Sequence, residues 1–87
     1  MHTLKRYELK MGENKVTMPD LAEIAFTTDC DGKACVWMEV ETDTKEFVDR
    51  PFFVMKEGEE IKDRMMMEYI GYAHLPSGEV VIVFEIL

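Results

Sequence analysis

Basic residues are scarce in this sequence of 87 residues, which has 10 Lys and Arg against 18 Asp and Glu. The formal net charge of −8 disfavours nucleic-acid binding, because contacts to phosphates require clustered Lys and Arg side chains. An acidic chain fits a partner that is itself basic, such as a nucleic-acid-binding protein. Solubility alone is the other explanation. The composition therefore predicts no direct contact with nucleic acid and leaves both explanations of the acidity open.

Long apolar runs and targeting signals are also missing. No stretch approaches the ~20 apolar residues that a membrane span needs, and no charged-then-apolar N-terminal signal is visible. Hydrophobic residues make up 47% of the chain, a globular value that argues against disorder. The length leaves room for one modest core. We therefore expect a single intracellular domain over residues 1–87, without contact to a membrane.

Cysteine and histidine are too few, or wrongly spaced, for the common catalytic and metal sites. Cys30 and Cys35 flank a turn, so a disulfide across a hairpin is possible, but two free thiols are the favoured prediction. Together with His2 and His74 they do not match zinc spacing. The sequence also lacks a phosphate-cradling glycine loop and a nucleophile elbow. We predict no catalytic residues, no metal and no cofactor, so an enzyme is not expected.

The strongest local signal is a C-terminal β-hairpin in residues 68–87. Pro76 to Gly78 predict a three-residue loop ending in a glycine bulge, and this register pairs Ile70 with Phe84. One face is then large and apolar. The other face is small or β-branched: Gly71, Ala73, Val81 and Val83. A hairpin that is apolar on both faces needs cover on both. Either it is central to the sheet, or its flatter face meets a second copy, which predicts a homo-oligomer, as a dimer.

A second hairpin is predicted within residues 23–41, where two registers compete. A two-residue loop at 31–32 would pair Phe26 with Trp37 but oppose apolar and charged residues further along. A three-residue loop with a bulge at Gly32 pairs Phe26 with Val36 and collects the large aliphatic side chains on one face. Because a slip of one residue reverses every side chain, the apolar pattern selects the bulged register. Phe26 is then expected in the core, and Trp37 on the face away from it.

Strand signals fill the rest of the chain. Residues 3–9 predict a first strand, and residues 15–18 predict a short second strand that ends at Pro19. Residues 46–56 are apolar enough for a strand, but Pro51 restricts it to an edge or marks a bulge. The predicted fold is all-β: six or seven short antiparallel strands in a small barrel or roll, with little helix.

Candidate binding residues come from three unusual features. The only tryptophan can anchor a partner interface or pack under a second layer of the same domain. A run of three methionines either fills gaps in the core or forms an adaptable binding surface. An arginine and a tyrosine are candidate groups for a ligand pocket. These residues are Trp37, Arg50, Tyr69, Met65, Met66 and Met67.

A series of short motifs resembles a family of small proteins encoded mainly in tailed phages and prophages and described as a domain of unknown function. The motifs are Tyr7-Glu8-Leu9, Met18-Pro19, Gly32 with Cys35-Val36-Trp37, Arg50 with Phe52, Glu68-Tyr69-Ile70-Gly71 and Val83-Phe84-Glu85. Members of that family often carry histidines where this chain has Glu59 and Ile82, so histidine chemistry is not expected here. The resemblance implies a phage protein acting in the cytoplasm of a bacterial host, and it implies no activity.

Three functional hypotheses follow from these features. The first is a non-enzymatic inhibitor that binds a host protein, such as a defence component with a basic surface. The second is an oligomeric sponge that sequesters a small nucleotide-like immune signal; the scarcity of basic residues to hold phosphates weakens it. The third is a structural accessory protein without a ligand, whose acidity only keeps it soluble.

Overall fold

The computed structural model describes residues 1–61 and 66–87, and within these ranges the chain forms seven β-strands and no helix. The all-β prediction is confirmed. The strands are β1 (His2–Leu9), β2 (Gly12–Pro19), β3 (Glu23–Cys30), β4 (Lys33–Glu41), β5 (Phe47–Lys56), β6 (Met67–His74) and β7 (Val80–Ile86).

The strands form two antiparallel sheets, the first in the order β1-β4-β3 and the second in the order β2-β5-β7-β6. Alternate residues of each strand point between the sheets and form one shared core. Its fully buried members include Val36 and Met38 of the first sheet and Met18, Phe52 and Val83 of the second. The described strands do not close into a barrel.

The β3–β4 hairpin corrects the predicted register. Its loop has two residues, Asp31 and Gly32, both with positive φ (53° and 83°), which is the geometry of a type I′ turn. Phe26 therefore pairs with Trp37, and a bulge at Ala25 restores the apolar match further along. The two-residue turn and the apolar pattern exclude each other only in a regular hairpin, and the bulge lets the chain satisfy both. As a result, Phe26 lies on the outer face and not in the core.

The β6–β7 hairpin has the predicted three-residue loop, closed by a hydrogen bond from Leu75 N to Glu79 O (2.8 Å). From this loop back to Tyr72, the strands pair in the predicted register, with Tyr72 opposite Ile82. A bulge at residue 70 then places Tyr69, and not Ile70, opposite Phe84.

The flatter face of this hairpin lies inside the chain's own core. Ala73, Val81 and Val83 are buried between the two sheets, and Gly71 packs under Thr27 of β3. These four residues were predicted as an oligomer interface, and their position corrects that assignment: the first sheet of the same chain covers them. The argument for a homo-oligomer from an uncovered face is therefore removed.

Pro51 was expected to restrict β5 to a sheet edge or to mark a bulge, and the structure agrees with the first expectation in part. The strand is internal to its sheet, yet only residues 52–56 pair with β7, while residues 47–54 pair with β2. Pro51 thus lies in the half of β5 that has a neighbour on one side only, where its missing N–H breaks no ladder.

Gly71 allows β3 and β6 to approach closely where the sheets meet. Thr27 Oγ1 donates a hydrogen bond to Tyr72 O (2.7 Å), and a Cβ on Gly71 would overlap this hydroxyl and lie 2.9 Å from Thr27 Cγ2. We expect Gly71→Ala to lower the free energy of unfolding by about 1–3 kcal/mol, measured by urea denaturation, because the strands must separate. Thr27→Ala in the same chain removes the overlap, so the two effects should be strongly non-additive. Simple additivity would contradict this account.

Candidate functional site

An aromatic groove runs along the boundary between β3 and β6, with a volume of about 560 Å³. Three exposed aromatic side chains line it: Phe26 is 43%, Tyr69 57% and Tyr72 52% accessible. Single exposed apolar side chains are ordinary on a protein surface, but a contiguous group around a concave feature is not. This cluster, the aromatic groove, is the candidate site.

Two β-bulges turn aromatic residues out of the core and into the groove. Ile24 faces the core, and a regular strand would send Phe26 to the same side. The bulge at Ala25 instead places Phe26 opposite Trp37 on the outer face. On β6, Gly71 faces inward, and the bulge at residue 70 likewise moves Tyr69 outward. Bulges commonly re-aim a side chain beside a functional site.

Trp37 supports the groove from behind. Its indole ring stacks on Phe26 with centroids 5.4 Å apart and 17° between the planes, and its Nε1–H donates to Thr28 Oγ1 (3.0 Å). It lies on the face away from the core, as predicted, but it is half-buried and does not line the groove itself. Its contribution is to hold the Phe26 ring in place.

The two tyrosines are held by edge-to-face contacts. Tyr69 meets Phe84 at 6.2 Å, and Tyr72 meets His74 at 5.5 Å. Such pairs restrict ring orientation and add stability beyond the area they bury. Each tyrosine ring of the groove is therefore supported by one aromatic neighbour on its own sheet.

Asp29 supplies the carboxylate that lines the groove. One of its oxygens accepts a hydrogen bond from Gly32 N in the neighbouring turn (3.0 Å), and its second oxygen has no hydrogen-bond donor among the described residues. A carboxylate beside aromatic rings favours a cationic side chain, through charge and through cation–π contact. The arrangement can bind and orient a basic, partly apolar segment.

Arg50 does not join the other candidate binding residues. It lies between the sheets, where Nε and Nη2 donate to the two carboxylate oxygens of Glu85 (2.7 and 2.9 Å) and Nη1 donates to Ala22 O. Tyr69 points outward from the same sheet, so these two residues cannot share a pocket. The structure gives Arg50 a structural position.

The methionine run is only partly placed. Met66 is exposed, and Met67 is half-buried at the start of β6, opposite Ile86. Met65 lies outside the described residues. The structure does not bring Met66 or Met67 into the lining of the aromatic groove.

Cys30 and Cys35 are free thiols, as predicted, and both are buried. Burial raises the pKa of Cys35 to about 12, and a hydrogen bond to Cys30 adds to the effect. Burial also raises the pKa of Cys30. Hydrogen bonds with Cys35 and Thr28 and the charge of Arg6 outweigh this effect, so the pKa of Cys30 is lowered overall. The outer face of the first sheet thus holds two thiols of unequal acidity.

Two absences apply to the part of the chain that the structure describes. No group of three or more His, Cys, Asp and Glu side chains converges to hold a metal ion. No helix there has both the length and the apolar character needed to cross a membrane.

Sequence reasoning missed Phe26 and Tyr72 as groove residues. The available signal was the Asp31-Gly32 turn, because this dipeptide strongly favours a two-residue loop. That loop places Phe26 against Trp37. Tyr72 carries no comparable local signal, since the nearby strand β3 is distant in sequence.

Comparison with known proteins gives one match. A family model described as a domain of unknown function (DUF7352) matches residues 1–86. Neither the curated proteins nor the solved structures contain a match.

Proposed function

We propose that this chain, which belongs to the DUF7352 family of domains of unknown function, is a non-enzymatic binding module that docks a basic segment of another protein in the aromatic groove. The phage-like sequence motifs add a setting to the proposal: a phage accessory protein that inhibits a host protein, such as a defence component, in the bacterial cytoplasm.

The observation that carries the proposal is the pair of bulges. Each bulge leaves one residue of its strand without a partner on the neighbouring strand. Each also moves an aromatic side chain from the core side of its strand to the groove. Phe26 and Tyr69 would contribute more to stability inside the core, where burial of a large apolar side chain is worth about 1.5–3 kcal/mol. An aromatic surface kept at this expense supports a role in recognition, because aromatic residues are the commonest anchors of protein interfaces.

Charge supports the choice of a basic partner. The chain carries a formal net charge of −8, and Asp29 lies in the groove lining. Long-range attraction would speed the encounter, while contact of the partner with the rings would set the dissociation rate. The sponge hypothesis relied on Arg50 to hold a phosphate, and the Arg50 donors are already engaged by Glu85 and Ala22. Protein binding is therefore the function that the geometry supports best.

The test compares three immobilised proteins exposed to a host lysate: wild type, Tyr72→Ser and the matched control Phe47→Ser. Phe47 is 60% exposed at the start of β5 and lies off the groove. We expect one basic protein to be retained by wild type and Phe47→Ser and lost with Tyr72→Ser. With the purified partner, Tyr72→Ser should weaken affinity by about 30-fold, the value for a hot-spot residue.

Asp29→Asn separates charge from structure in the same assay. Asparagine keeps the oxygen that accepts from Gly32 N, so the turn stays intact. We expect slower association and a weaker dependence on salt, because exposed charges are screened beyond about 8 Å at physiological ionic strength. Equal retention by wild type and Tyr72→Ser, or binding insensitive to salt, would contradict the proposal and leave a protein whose acidity serves solubility.

A further inference from the structure

A second concave site, the end pocket, lies at one end of the two sheets, among the β1–β2, β3–β4 and β6–β7 turns and the end of β5. Its volume is about 420 Å³. Its floor consists of buried apolar side chains from four strands: Leu9, Ala34, Val54 and Val81. Both sheets contribute, so the pocket lies over the end of the shared core. A volume of this size falls in the range of small-molecule sites.

Three lysines surround this apolar floor, in a chain that is otherwise strongly acidic. Lys10 follows β1, Lys33 begins β4, and Lys56 ends β5, so they reach the pocket from three separate turns. Glu79 is the only carboxylate among the described lining residues. The charged residues of the lining are therefore mostly basic, whereas the chain as a whole carries a net charge of −8.

The lysines are only partly neutralised by neighbours. Lys56 Nζ lies 3.1 Å from Glu79 Oε2, and Lys33 Nζ lies 3.9 Å from Glu8 Oε2 at an exposed position. Lys10 makes no ion pair with a described residue. Within residues 1–61 and 66–87, no carboxylate therefore competes with an incoming anion for the Lys10 ammonium group.

Each turn that carries a lysine is fixed by hydrogen bonds. The Asn14 side chain accepts from Lys10 N and donates to Lys10 O (both 2.9 Å). Asp29 holds the turn before Lys33 through Gly32 N. Next to Lys56, Glu57 N donates to Val80 O (2.9 Å). A rim held in this way loses little conformational freedom when a ligand binds.

We infer that the end pocket is a binding site for a small organic anion with an apolar body, such as an alkyl phosphate or an alkyl carboxylate. The apolar body would lie above the floor and replace water against the exposed Met11 and the half-buried Leu75, which also line the pocket. The anionic oxygens would receive charge-assisted hydrogen bonds from Lys10 and Lys33. This site is separate from the aromatic groove and shares none of its lining residues.

The test is an NMR titration of the full chain, with amide shifts as the readout and four probes: hexyl phosphate, hexanoate, hexylammonium and inorganic phosphate. We expect both hexyl anions to cause saturable shifts at the amides of Gly32, Ala34 and Leu75. The tighter of the two identifies the preferred headgroup. Hexylammonium lacks the anionic headgroup, and inorganic phosphate lacks the apolar body. Each should therefore bind at least about tenfold more weakly than the better hexyl anion.

Charge-removing variants assign the contacts. Lys10→Gln and Lys33→Gln should each weaken the better anion by about fivefold, while Lys45→Gln in the β4–β5 loop at the other end of the sheets should have no effect. The proposal is overturned if hexylammonium binds as tightly as the anions, if inorganic phosphate alone matches them, or if neither anion shifts the three amides.

Discussion

Arg50→Ala is expected to lower the free energy of unfolding by about 3 kcal/mol, measured by urea denaturation. The Arg50 and Glu85 side chains are only 21% and 14% exposed, and their bidentate pair bridges β5 and β7 on the inner face of the second sheet. Removing one partner of a buried pair leaves an unpaired charge, which typically costs about 3–5 kcal/mol. The remaining exposure places this pair near the lower end of that range.

The same substitution also releases the β2–β3 loop, because Arg50 Nη1 donates to Ala22 O. A matched double variant, Arg50→Met with Glu85→Met, replaces the pair by apolar side chains. Such replacements are often neutral, so the double variant should recover to within about 1 kcal/mol of wild type. If Arg50→Ala alone falls within that margin, the pair is not a structural clamp, and Arg50 becomes available again as a candidate ligand-binding group.

The turns are the part of this fold that can be predicted well from the sequence. Pro76, Ser77 and Gly78 specify a loop from their own backbone preferences, and the structure has that loop. The proline in β5 acts locally in the same way, through its missing donor. The predicted first strand, residues 3–9, differs from β1 by a single residue, whereas the second strand begins earlier than predicted, at Gly12.

Pairing between distant segments could not be predicted from the same signals. A tight turn joins β1 and β2, yet β1 pairs with β4 and β2 pairs with β5. Nothing local distinguishes such a crossing between sheets from an ordinary hairpin. The bulges are equally invisible, because one extra residue changes the face of a side chain without any change in composition.

The candidate site shows the same division. Trp37 and Tyr69 stand out in the sequence because they are large aromatic residues, and the structure places Tyr69 in the groove lining and Trp37 behind it. The sequence cannot reveal the ion pair of Arg50, because its partner Glu85 lies 35 residues away, and a basic residue in an acidic chain suggests a ligand contact when its partner is unknown. Phe26 was placed in the core because the apolar pattern alone cannot reveal a bulge.

Trp37→Ala is expected to lower the free energy of unfolding by about 2–3 kcal/mol, less than a fully buried aromatic residue would cost. The variant loses the stack on Phe26 and the hydrogen bond to Thr28. Cys35 lies two residues away on the same face and is fully buried in the native chain, so we expect the loss of the indole to expose its thiol. Phe26→Ala keeps the indole in place, so we expect a smaller loss of about 1 kcal/mol.

Thiol labelling under native conditions distinguishes the two possible roles of Trp37. Burial raises the pKa of Cys35 to about 12, so almost no Cys35 thiolate is present near pH 8 and labelling of Cys35 in the wild type, followed by peptide mass spectrometry, should be slow. In Trp37→Ala the exposed thiol should return toward its ordinary pKa, so its labelling should become much faster. Phe26→Ala should leave Cys35 protected but lose the partner, because it removes a groove ring without removing the cover over the thiol. If Trp37→Ala is as stable as wild type, keeps Cys35 protected and loses the partner, Trp37 is itself the surface anchor, and the supporting role assigned to it is wrong.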